Sequence, residues 1–69
     1  MSVARVTEIS STSEKSFDDA MREGIARAAK TLRGLKSAWI KEQSLVIADG
    51  KITGYQVNML VTFVLEEPA

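Results

Sequence analysis

"SLVIADGKITGYQV", residues 44–57, decides the fold. Asp49-Gly50 at its centre is a dipeptide favoured by two-residue hairpins, because both positions take left-handed backbone conformations that Asp tolerates and Gly adopts freely. Apolar and β-branched residues run outward on both sides, so the reading is a long antiparallel pair with strands at 36–48 and 51–66. Counted from the turn, a regular ladder sets Gln43 opposite Gln56, Lys41 opposite Asn58 and Trp39 opposite Leu60. In the second strand Tyr55, Val57, Met59, Val61, Phe63 and Leu65 alternate onto one almost wholly apolar face.

Upstream of the hairpin lies the partner for that face. Phe17, Ala20, Met21, Gly24, Ile25, Ala28, Ala29, Leu32 and Leu35 recur at three- and four-residue steps, which places them on one helical stripe. The hydroxyl-rich run "SSTSEKSFDDA", residues 10–20, precedes it, with Ser13 or Thr12 as expected caps and Glu14 and Asp18 near the positive end of the helix dipole. Asp18 with Arg22 and Glu23 with Arg27 are spaced for surface pairs, and Gly34 follows as a stop, so a helix is predicted over 14–33. Before it, "VARVTEIS", residues 3–10, reads as a first strand. The fold class is therefore α+β: a β-α-β-β chain with a three-stranded antiparallel sheet on one helix, a single domain over 1–69.

That domain is small for its task. A chain of 69 residues is near the size at which one core barely offsets conformational entropy. It has no Cys for disulfides and no His, which also removes the usual zinc ligands and catalytic bases. Oligomerisation is the remaining route to stability. The sheet gives the same indication from its geometry. Its second face carries Trp39, Leu45, Ile47, Ile52, Leu60 and Val64 beside Lys41, Gln43, Gln56, Asn58 and Thr62, with no second helix to cover it. A helix of about 20 residues spans roughly 30 Å, whereas a strand of about 16 approaches 50 Å. Further copies of the chain are the expected cover.

Formal net charge is zero, so no global electrostatic footprint for nucleic acid or an anionic membrane exists. Arg22, Arg27, Lys30 and Arg33 make a basic helix edge, but acids interrupt it and aromatics are missing from it, which argues against nucleic acid. A small RNA-binding α+β domain is the reading that a large subunit number would exclude. Lack of Cys, of a signal peptide and of a long apolar run fits the cytoplasm, with no membrane partner. No glycine-rich phosphate loop or paired carboxylate motif supports catalysis, so a non-enzymatic protein is expected.

The order strand, helix, long hairpin, with "TSEKSFDDAM", "RAAKTLRGL", "DGKITGYQV" and "VTFVLEE", resembles the dodecin family over nearly the whole chain. The resemblance implies a hollow homo-dodecamer that stores flavin, riboflavin or FMN, with pairs of flavins stacked between tryptophans of neighbouring subunits and a glutamine hydrogen-bonded to the ring. Gln56 matches that glutamine. Aligned on the turn, Ser37 stands where the stacking tryptophan is usual, and Trp39 lies two residues further on, about 6 to 7 Å along the strand. Ser44 and Val64 occupy positions where basic residues often stand, and "AWIKEQ" resembles the branch without the stacking tryptophan, some of whose members bind calcium.

Two readings of Trp39 stand side by side: it stacks on an aromatic ligand in a modified pocket, or it plugs a subunit interface. The candidate ligand-binding set is Trp39, Gln56, Ser37, Lys41 and Gln43. Gln56 with Gln43 also reads as a plain cross-strand pair, and Lys41 as a solvated side chain or a partner for a phosphate or a neighbour's carboxylate. Strict alternation puts Glu42 on the helix side, where it would need a partner at a subunit seam. Glu66-Glu67 reads as a solvated tail, with ion binding requiring carboxylates from several subunits. The alternative function is a structural or ion-binding dodecin that has lost the flavin site.

Overall fold

Residues 3–65 are described by the computed structural model of the chain. Strand β1 (Ala4–Ser13), helix α1 (Phe17–Thr31), strand β2 (Leu35–Ala48) and strand β3 (Lys51–Val64) follow one another in the expected β-α-β-β order. The sheet is antiparallel with order β1-β3-β2, so the most apolar strand is central. The expected tail Glu66-Glu67 lies outside the described residues.

Val57, Met59 and Val61 of β3 are fully buried under Ala20, Gly24 and Ala28 of α1. Those three helix residues repeat every four positions and are small, which lets the helix backbone settle close to the sheet. Phe17, Met21 and Ile25 flank them, half-buried, with Ile9 and Ile40. Phe17 also meets Tyr55 edge-on, with ring centroids 5.2 Å apart. The helix packs on β1 and β3 and scarcely reaches β2.

Both helix ends differ from the sequence expectation. The cap is Ser16, whose Oγ accepts a hydrogen bond from the Asp19 backbone N–H at 3.0 Å, and Asp18 and Asp19 occupy the first turn. The hydroxyl run before it extends β1 to Ser13 instead. Ser13 Oγ then donates to Asp19 Oδ2 at 2.6 Å and accepts from the Lys15 N–H at 2.9 Å, bracing the corner between strand and helix. The helix ends at Thr31, where the Leu32 N–H donates to the Ala28 carbonyl at 2.8 Å. The expected Asp18–Arg22 and Glu23–Arg27 pairs do not close; the one ion pair among the described residues joins Lys41 Nζ to Glu8 Oε1 at 3.2 Å.

Asp49 and Gly50 have φ of 53° and 74°, the left-handed pair the turn requires. The ladder that grows from them is not regular. Thr53 is an extra residue on β3, between the pairs Val46↔Gly54 and Ile47↔Ile52, and Lys41 is an extra residue on β2, between Ile40↔Met59 and Glu42↔Asn58. These two irregularities cancel, so Trp39 still lies opposite Leu60, and a third shift, between Leu35↔Phe63 and Ser37↔Thr62, falls beyond it. Between the first two every partner is displaced by one: Gln43 faces Val57 rather than Gln56, Glu42 rather than Lys41 faces Asn58, and Ser44 faces Gln56.

Candidate functional site

Directly paired residues in an antiparallel sheet project on the same side, so the buried residues of β3 sort the rest. Val57, Met59 and Val61 point at the helix; Gln56, Asn58, Leu60 and Thr62 point away. Ser37, Trp39, Glu42, Ser44 and Val46 of β2 share this outer face through their partners, as do Val6, Glu8, Ser10 and Thr12 of β1. Glu42 is therefore not on the helix side, because the bulge at Lys41 turns it outward. The same register puts Gln43, Leu45, Ile47 and Ile52 on the helix side, contrary to the regular-ladder reading, and separates Gln43 from Gln56 by the thickness of the sheet.

Trp39 dominates the outer face, with 49% of its surface accessible. Leu60 is its direct neighbour on β3, and Ser37 lies one step beyond, across from Thr62. Gln56 is on the same face but four residues from Leu60, about 13 Å along the strand. A flat ligand stacked on Trp39 thus reaches the Gln56 of its own chain only at its far edge. Between the two side chains lies a polar row. Gln56 Nε2 donates to Ser10 Oγ at 3.0 Å and to Asn58 Oδ1 at 3.4 Å, and Asn58 Nδ2 donates to Glu42 Oε1 at 2.7 Å. Lys41 turns to Glu8 across the face. Its charge is exposed and already paired, so that contact contributes little stability.

Clefts of the single chain lie at the helix instead. One of about 510 Å³ runs along β1, past Ser11, Glu23, Gly24 and Arg27; one of about 380 Å³ lies on the helix at Met21, Arg22, Ile25 and Ala26; and one of about 260 Å³ lies between Ile25, Leu35, Ser37 and Ala38. None of the three contains Trp39 or Gln56. The outer face is an open surface that gains walls only from another molecule. Sequence reading placed Asn58 on this face with Gln56 but missed Glu42 and Ser10; the bulge that turns Glu42 outward contains no Gly or Pro and leaves no mark in the alternation.

Comparison with known proteins agrees with the fold. Residues 3–66 match the family model described as Dodecin. The chain is 38% identical over 65 residues to the dodecin of Thermus thermophilus, covering 94% of each protein. Its structure is similar to dodecin from Streptomyces davaonensis, with TM-score 0.91, 41% identity and coverage of 96% of this chain and 97% of that one. It is also similar to calcium dodecin from Mycobacterium tuberculosis, described as a calcium-chelating antigen with a novel calcium-binding site, with TM-score 0.81, 28% identity and coverage of 97% and 99%.

Proposed function

The chain belongs to the dodecin family, and on that premise we propose that it is a non-enzymatic storage protein, a hollow homo-dodecamer that sequesters riboflavin or FMN between outer sheet faces of adjoining subunits. The observation that carries this reading is the half-exposed Trp39 on a face with no cover of its own. An indole stacked on an isoalloxazine buries both flat surfaces and quenches the excited state of the flavin, which is how binding protects it. Gln56 supplies a hydrogen bond at the ring edge. Since it stands about 13 Å along the strand from the Leu60 position, the site is completed by a second subunit.

Saturable quenching of riboflavin fluorescence by the protein, abolished in Trp39→Ala, is the expected result. Quenching that persists in Trp39→Ala would place the ligand elsewhere, and none at micromolar protein would remove flavin storage. A second reading, a structural or ion-binding dodecin, is favoured by Ser37 at the usual tryptophan position and by the calcium-chelating relative. Among the described residues no three potential metal ligands cluster within one chain, so ions would be held by carboxylates of several subunits. Calcium binding by a colourless, flavin-unresponsive assembly is the outcome that reading requires.

A further inference from the structure

A carboxylate two side chains away determines which end of the Gln56 amide is free. Ionised Glu42 can only accept hydrogen bonds, so the Asn58 atom against it at 2.7 Å is the nitrogen. Asn58 Oδ1 must then face the other way, toward Gln56, and an amide oxygen can only accept. Gln56 therefore offers Nε2 there, at 3.4 Å, and the same nitrogen donates its second proton to Ser10 Oγ at 3.0 Å. Both Gln56 N–H groups are committed, and its Oε1 is the atom left for a ligand. The bulge sets this arrangement, because without Lys41 as an extra residue in β2 Glu42 would not lie opposite Asn58.

We propose that Glu42, acting through Asn58, is a positioning residue that makes Gln56 a hydrogen-bond acceptor, so that the site selects a flat ligand presenting an N–H at its edge. The inference rests on the flavin reading above. Oxidised isoalloxazine has a single N–H, at N3, and Gln56 Oε1 is matched to it. A ligand with only carbonyl oxygens at that edge would meet oxygen with oxygen.

Riboflavin and 3-methylriboflavin test this: both are neutral and differ only at N3, where the methyl group removes the donor and adds bulk, and because the bulk is the same in every variant the change of their affinity ratio reads the donor. Wild-type protein is expected to bind riboflavin about tenfold more tightly than the methylated compound. Glu42→Lys replaces an acceptor by a donor, reverses Asn58 and hence Gln56, and is expected to bring the ratio of the two affinities close to one. Glu42→Gln, able to act either way, is expected to fall between. A merely structural role would lower both affinities and leave their ratio unchanged. Equal binding of both flavins by the wild type, or a ratio that is the same in Glu42→Lys, overturns the inference while flavin storage stands. Binding of neither flavin overturns the storage reading, and with it the selection proposed here.

Discussion

Gly24 is required by distance and Gly34 by backbone conformation, and the difference shows in what each would meet. A Cβ on Gly24 would lie 2.7 Å from Met59 Cε and 3.0 Å from Ser11 Cβ. The methionine tip can move, but the serine Cβ is fixed to the β1 backbone. Gly24→Ala therefore gains helix propensity and loses more to overpacking, for a net destabilisation of about 1 kcal/mol in denaturant unfolding. A stabilised variant would contradict the close helix–sheet approach. At Gly34 φ is +72° and a Cβ would stand 2.8 Å from the Val64 carbonyl oxygen, whereas Gly50, at +74°, has open space around it. Gly34→Ala is expected to lower the melting temperature by more than Gly50→Ala, and the reverse order would refute the contact. With Ser44 and Val64 where basic residues often stand, and Lys41 paired to Glu8, none of these three positions offers a phosphate an unpaired cation. Riboflavin and FMN should bind with Kd values within about threefold of each other, and a tenfold preference for FMN in parallel titrations would show an unrecognised cation.

At the scale of elements, the helix stripe, the Asp49-Gly50 turn and the apolar face of β3 were legible because each rests on a period or on one dipeptide. The helix start was not. "SSTSEKS" contains several residues able to cap, and Ser16 prevails because Ser13 is claimed by the strand and by Asp19. Ser16→Ala should therefore destabilise by about 1 kcal/mol while Thr12→Ala changes little; an equal loss for both, read by thermal unfolding, would return the cap to the earlier run. The bulges at Thr53 and Lys41 were also illegible, since neither residue type signals one, and they decide which side of the sheet Glu42, Gln43, Leu45 and Ile47 occupy. Trp39 and Gln56 could be placed on their common face from alternation alone because Trp39 lies beyond both bulges and Gln56 belongs to the central strand.

The whole molecule is a core joined to an arm. Its extents are 56 × 19 × 13 Å, and a 15-residue helix covers only about 22 Å of that length. The hairpin projects beyond the helix with Ile47 and Ile52 accessible over 62% and 52% of their surface, on the side opposite to Val46. An arm apolar on both sides is stable in water when other copies enclose it. Ile47→Lys should therefore reduce the assembly mass and leave no trace of the full oligomer, whereas an unchanged mass would mean the arm stays in solvent. The proposed function makes the outer face a surface shared by subunits and a flavin, with Trp39 at its centre. Native mass spectrometry of the protein mixed with riboflavin tests it most directly. Twelve chains of 7.5 kDa would appear near about 90 kDa with added riboflavin masses, and Trp39→Ala would lose the riboflavin. A species of one or two chains, or an assembly that carries no riboflavin, would contradict the account.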